Sequence, residues 1–192
     1  MAQIKALNIY PVKSCRGIPL QTAEVTASGF MHDREWMIVR EGYRFITQRE
    51  EPRLALIEPR FVDDSLELRA PEVGSIRIPL TAEGQAVEAV CWRDRCAAFV
   101  LGAETAQWLR DYLQGSVRLV RFDPRGKRRS DTKWTQEVEA FSRFSDAFPW
   151  LVISQASLDD LNSRLPAPLP MNRFRPDIVL DGVASYAEDR VH

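Results

Sequence analysis

From Ile4 to Val100 the chain is a succession of short apolar or alternating runs, each closed by proline, glycine or aspartate. Chains of this pattern pair short strands edge to edge and close them as a barrel or a sandwich. Ile4 to Tyr10 reads as a first strand, stopped by Pro11, and Lys13 to Gly17 as a turn. Leu20 to Val25 resumes the strand pattern. Glu35 to Arg40 and Tyr43 to Thr47 read as a hairpin about Glu41-Gly42. Leu54 to Pro59, Phe61-Val62, Leu66 to Leu68, Ser75 to Leu80, Gln85 to Val90 and Arg95 to Val100 continue the series.

The period then changes. Trp108, Leu109, Tyr112 and Leu113 fall on one face of a helix predicted over Glu104 to Gln114, with Gly115 placed to end it. Val117 to Phe122 returns to strand. Residues 123–149 have little apolar periodicity and read as a long loop, a length that is usually functional, mobile or a linker. Trp150 to Ile153 reads as a buried strand. Ser154 or Ser157 can cap a helix running to Leu165, which Pro166, Pro168 and Pro170 stop. Arg175 to Leu180 is the last predicted strand. The expected fold is mainly β (α+β), a β-barrel-like N-terminal domain with a few helices over residues 1–122 and a second unit over residues 123–192.

With 45% apolar and 28% charged residues, a packed core is expected and disorder is not. A net charge of −1 argues against a nucleic-acid partner. No apolar run is long enough to span a bilayer, and the first residues do not read as a signal peptide, so no membrane partner is expected. Cys15, Cys91 and Cys96 form no zinc-type cluster, which suits a reducing compartment and a cytoplasmic location.

The chemistry-bearing residues lie in turns and at strand ends. In Met171-Asn172-Arg173-Phe174-Arg175-Pro176-Asp177, two arginines at i and i+2 of an extended chain would share a face. Their planar forks match phosphate or carboxylate. The plainer reading pairs one with Asp177 or Asp181 and leaves the other solvated. Lys13-Ser14 offers an ammonium, a hydroxyl and turn N–H groups to an anion. Arg34 stands at a strand mouth between Asp33 and Glu35, where a weak surface pair is the plainer outcome. His32 can be a base but is more often structural. Thr47 and Arg49, read on one strand face, can extend an anion pocket. Cys91 and Cys96 read as buried, and Lys127-Arg128-Arg129 as a solvent-facing run.

Taken together, Tyr10-Pro11-Val12-Lys13-Ser14-Cys15-Arg16-Gly17, His32-Asp33-Arg34-Glu35-Trp36-Met37, Ile46-Thr47-Gln48-Arg49-Glu50-Glu51-Pro52-Arg53-Leu54 and Asn172-Arg173-Phe174-Arg175-Pro176-Asp177 resemble the MOSC-domain proteins that carry a MOSC N-terminal β-barrel domain. The helix Ser154 to Asn162 and the segment Tyr186-Ala187-Glu188-Asp189 share the likeness. The resemblance implies a molybdenum cofactor, with Lys13, Ser14, Arg34, Asn172, Arg173 and Arg175 binding the molybdopterin and its terminal phosphate. It also implies an oxidoreductase that reduces small N-hydroxylated compounds, supplied by an electron-donor protein or domain. Members of the family run on past this length, and their molybdenum-binding cysteine lies in that later half. The resemblance therefore implies an incomplete start of the MOSC β-barrel domain after residue 122, with no metal ligand among Cys15, Cys91 and Cys96. It further implies a last strand lacking a later neighbour, and a 192-residue chain that is inactive alone and low in cofactor. A reading from another class is a non-catalytic β-barrel module that binds an anion, a substrate or an electron-transfer partner. Pyridoxal phosphate on Lys13 is a third, and no residue answers to its pyridine nitrogen.

Overall fold

The computed structural model describes residues 1–190. The chain opens on β1 (Gln3–Ile9) and β2 (Ile18–Leu20), followed by a two-stranded ribbon of β3 (Val25–Thr26) and β4 (Gly29–Phe30), and then β5 (Trp36–Val39). An antiparallel meander follows, β6 (Glu58–Val62), β7 (Ser65–Ala70) and β8 (Gly74–Pro79). The hairpin β9 (Gln85–Cys91) and β10 (Asp94–Val100) leads to α1 (Ala103–Leu113) and β11 (Arg118–Phe122). After α2 (Thr132–Thr135) come β12 (Val152–Ser154), α3 (Gln155–Ser163) and β13 (Ile178–Asp181). The fold is mainly β with three helices, as the short punctuated runs require.

Two four-stranded sheets carry the architecture, ordered β5-β11-β10-β9 and β12-β13-β1-β2. The second joins the two ends of the chain. Leu7 of β1 pairs with Ile178 of β13, and Ser154 of β12 lies parallel to Leu180. The expected division at residue 122 is one of sequence, and this sheet runs across it. β13 is an inner strand with neighbours on both sides, so the expectation that the last strand lacks a partner is corrected.

β5 shows how the core is divided. All four of its residues are buried, and successive side chains point to opposite faces. Trp36 and Ile38 join one cluster with Leu54, Leu66, Leu68, Leu109 and Leu119. Met37 and Val39 join another with Phe45, Cys91, Val120, Phe122 and Phe144. The predicted apolar face of α1 is buried in the first cluster through Trp108, Leu109, Tyr112 and Leu113.

Several local expectations are corrected. Tyr43 to Thr47 is not a regular return strand. A 3-10 turn over Glu41–Tyr43 splays the chain, leaving single bridges from Phe45 to Val39 and from Arg44 to Val90. Pro52–Leu56 is a 3-10 turn started by Pro52, with Glu51 accepting from the Arg53 N–H, and only then does β6 begin. Gln114, with φ 54°, takes the left-handed position that ends α1, rather than Gly115. Trp150 and Leu151 are exposed rather than buried. Arg175 is not in a strand. It takes φ 60° after the 3-10 turn Met171–Arg173, although the residue before a proline prefers extended backbone.

Ser154 caps α3. Its hydroxyl accepts from the Ser157 N–H at 3.1 Å and contacts the Ser157 hydroxyl at 2.7 Å, in full burial. Ser154→Ala is expected to lower the unfolding free energy by about 1 kcal/mol in a urea titration. An unchanged midpoint would show that the cap contributes nothing.

Candidate functional site

The site is assembled by main-chain bonds between segments distant in sequence. The turn after β1 lies along the start of β5. The Lys13 N–H donates to the Trp36 carbonyl at 2.8 Å, and the Arg34 N–H to the Tyr10 carbonyl at 3.0 Å. The Tyr10 N–H donates to Asp33 Oδ1 at 2.7 Å. The segment before β13 docks beside them, with the Asn8 N–H donating to the Asp177 carbonyl at 2.8 Å and the Leu151 N–H to Asp177 Oδ2 at 2.7 Å. The Phe144 N–H donates to the Arg34 carbonyl at 3.0 Å, which brings in the long loop. Gly17 makes room for this packing, since a Cβ there would lie 2.5 Å from the Tyr10 ring.

These segments enclose a cavity of about 860 Å³. Lys13, Ser14, Arg34, Arg173 and Arg175 all line it, with Arg49, Phe45, Trp92, Trp150, Asp146 and Asp177. Asn172 is exposed on the 3-10 turn and does not line it. Four of the lining residues take left-handed backbone although none is glycine: Ser14 at φ 69°, Arg34 at 45°, Trp92 at 56° and Arg175 at 60°. Such conformations cost free energy and persist where surrounding structure imposes them, commonly at functional sites.

The cations differ in what already neutralises them. Arg34 is buried and forms ion pairs with Asp33 at 2.5 Å and with Asp177. It also lies 4.5 Å from the centre of the Tyr10 ring. Burial, with Asp177 nearby, pushes the Asp33 carboxyl up to about 7 against the pull of Arg34. Asp177, expected to pair with a neighbouring arginine, thus serves Arg34 instead, and the expected weak surface pair of Arg34 is a buried one. Lys13 is buried too, and its Nζ donates to Asp146 Oδ1 at 2.5 Å and to the Phe144 carbonyl at 2.8 Å.

Arg175 is the exception. Its guanidinium donates to the Cys15 carbonyl at 2.5 Å and lies 4.2 Å from the Tyr10 ring centre, with no carboxylate paired to it among the described residues. Burial first, then repulsion from Arg34, lowers its proton affinity below the usual arginine value. Arg173 and Arg49 are exposed on the same cavity, likewise without an ion pair among the described residues. The cavity therefore offers one half-buried and two exposed cations to an anion, while its own two carboxylates are engaged by Arg34 and Lys13.

Other candidates fall away. Thr47 and Arg49 occupy a turn rather than a strand face, and the Thr47 hydroxyl donates to Glu50 at 3.2 Å. His32 contacts Glu35 at 2.8 Å, and Glu35 pairs with Arg121. The basic run is not wholly solvent-facing, since Arg128 is buried, bonded to Asp94 and to the carbonyls of Arg143, Ser145 and Asp146. Burial pushes the thiols of Cys15 and Cys96 up to about 12, which suits inert core residues. Sequence reasoning missed Tyr10, Trp92 and Asp146. Only the left-handed turn at Trp92 and the acid beside a buried loop phenylalanine mark them, and both need coordinates.

Comparison with known proteins shows the family of the chain. A model of the MOSC N-terminal beta barrel domain matches residues 1–116, and one of the MOSC domain matches residues 141–192. Mitochondrial amidoxime-reducing component 1 of Mus musculus is 37% identical over 97% of this chain and 57% of its own length. The Homo sapiens protein of that name is 36% identical over 97% of this chain and 58% of its own. Mitochondrial amidoxime reducing component 2 of Bos taurus is 33% identical, with the same two shares, 97% and 58%. The chain spans somewhat over half the length of these curated relatives.

Proposed function

Because the chain belongs to the family of the MOSC N-terminal beta barrel domain, we propose that it carries the pterin-phosphate site of a molybdenum-cofactor oxidoreductase that reduces N-hydroxylated compounds. The observation that supports this reading is Arg175, a half-buried guanidinium on the cavity wall with no carboxylate of its own among the described residues. A buried charge without a partner is costly, and natural folds retain one where a ligand supplies the counter-charge. A phosphomonoester brings up to two negative charges and oxygens that suit an arginine fork.

In this reading Arg175 and Arg173 hold the phosphate. Arg34, fixed by two carboxylates, shapes the floor and orients Tyr10. Lys13 and Ser14 would exchange internal partners, Asp146 and the Ile46 carbonyl, for ligand oxygens. Asn172 would contribute through the turn that presents Arg173. The bound cofactor supplies the redox chemistry. Reduction of an N–OH group takes two electrons and two protons and releases water, and an electron-donor protein provides the electrons.

The test uses inorganic phosphate and the Arg175→Gln variant. Loss of a charge-assisted contact of about 1.5–3 kcal/mol predicts phosphate binding about 10- to 150-fold weaker. Stability should not fall, because the substitution removes a cation repelled by Arg34. Equal phosphate affinity in the two proteins would remove the reading.

A further inference from the structure

Tyr10 is buried, yet it is not part of the lining of the anion cavity. Its ring instead takes two cations at once. The Arg34 guanidinium lies 4.5 Å from the ring centre and that of Arg175 4.2 Å. Two guanidiniums against one ring repel each other, and Arg175 feels that repulsion. They are held by different means. Arg34 has taken both carboxylates of the cluster, Asp33 and Asp177. Arg175 is left with two neutral holders, the Tyr10 ring and the Cys15 carbonyl, which accepts from its guanidinium at 2.5 Å. The face of an aromatic ring attracts a cation without cancelling its charge. A carboxylate in the same place would bind Arg175 more strongly and leave little charge for an anion to meet.

The ring is fixed from several directions. The Tyr10 N–H donates to Asp33 Oδ1 at 2.7 Å, and its hydroxyl donates to the Pro176 carbonyl at 3.2 Å. The second bond ties the ring to the residue that follows Arg175, in a segment whose backbone is left-handed at Arg175. Burial pushes the Tyr10 hydroxyl up to about 12, against the pull of both arginines, so it stays a neutral donor and adds no charge to the cluster. Gly17 lies against the ring where a Cβ would not fit, and the ring therefore has no slack on that side.

We propose that Tyr10 is a positioning residue of the anion site: its ring holds the Arg175 guanidinium beside Arg34 without neutralising it, so that a phosphate entering the cavity meets an oriented, uncompensated charge. This assignment rests on the proposed phosphate site and adds to it a residue that acts through Arg175 rather than on the ligand.

The experiment measures inorganic phosphate binding to the full 192-residue chain by titration calorimetry. Tyr10→Phe keeps the ring face and loses only the hydroxyl, so its affinity should stay within about threefold of the unaltered chain. Tyr10→Met fills much of the same apolar space without a ring face, and should bind phosphate on the order of tenfold more weakly. A merely structural defect would weaken binding in any background. In Arg175→Gln, where the charge is already gone, Tyr10→Met should change phosphate affinity by less than about twofold. Urea titration reports whether each variant is folded. Should Tyr10→Met not fold, Gly17→Ala takes its place, since it leaves Tyr10 chemically intact but forces the ring to shift, and the same Arg175-dependent loss is expected. Unaltered affinity in the folded Met or Ala variant, a loss in Tyr10→Phe as large as theirs, or an undiminished loss in the Arg175→Gln background overturns the assignment. If Arg175→Gln weakens phosphate binding while these variants do not, only the assignment of Tyr10 is lost; if Arg175→Gln has no effect either, the proposed function is lost with it.

Discussion

Arg34→Met is expected to lower the unfolding free energy by about 3–5 kcal/mol, because removing one partner of a buried ion pair leaves the other charges uncompensated. Two carboxylates are stranded here. The side chains of Asp33 and Asp177 are each 1% exposed, and both bond to the same Arg34 nitrogen. Backbone contacts remain, from the Tyr10 N–H to Asp33 and from the Leu151 N–H to Asp177, but neither brings a full positive charge. The loss should depend on pH. In the unaltered chain Asp33 already titrates near 7 rather than at its ordinary 3.8, through burial and the proximity of Asp177. Without Arg34 it must lie higher still. A carboxyl whose pKa is raised in the fold favours the fold while protonated, and that contribution disappears as pH rises through the folded value. The deficit of Arg34→Met should therefore be smallest below about pH 4 and grow through pH 7. Urea titrations at several pH values measure it. A deficit that shrinks as pH rises, or a loss within the surface range of 0–1 kcal/mol, would show that Arg34 is not the counter-charge of this pair.

Arg34 and Arg175 thus have opposite expected effects although both lie against the Tyr10 ring. Removing Arg34 strands two acids and costs stability; removing Arg175 relieves repulsion and costs ligand binding. The distinction is invisible in the sequence, where both are arginines beside an aspartate. What was legible there was local. The apolar run Trp36-Met37-Ile38-Val39 marked a strand, which the structure buries on both faces, and the spacing of Trp108, Leu109, Tyr112 and Leu113 marked the buried face of a helix. Both follow from the fixed periods of strand and helix. The convergence of Lys13, Ser14, Arg34, Arg173 and Arg175 was legible only through family resemblance, because Arg34 meets Asp177 across 143 residues of sequence. Three further features were out of reach. A left-handed Arg175 before Pro176 runs against the local preference of the residue before proline. Arg128 looked like one member of a solvated run until its carbonyl partners were in view. The pairing of β1 with β13 depends on strand order, which no local pattern encodes.

The long loop gives the last expected result. Phe144→Ala should cost about 3–5 kcal/mol, the range for emptying a buried phenylalanine site, and should also weaken phosphate binding, although Phe144 is not part of the cavity lining. Its ring is fully buried in the second core cluster and meets Phe122 edge-on, with centres 5.3 Å apart. Its main chain faces the site on both sides. The N–H donates to the Arg34 carbonyl at 3.0 Å, and the carbonyl accepts from Lys13 Nζ at 2.8 Å. The side chain thus fixes in place a peptide segment that holds two cavity cations, and Asp146 follows two residues later. A loop without regular periodicity can be this firmly placed because one large apolar group anchors it to the core, while Arg128 satisfies the carbonyls of Arg143, Ser145 and Asp146. With alanine, the anchor is lost and the segment is held by polar contacts alone. Hydrogen exchange at the residue-144 amide should then proceed by local opening, at denaturant concentrations well below global unfolding. Phe144→Leu retains much of the buried apolar surface, and should lose less stability and bind phosphate almost as the unaltered chain does. If Phe144→Ala binds phosphate with unaltered affinity, Lys13 and Arg34 are positioned without the loop, and the anchor serves stability alone.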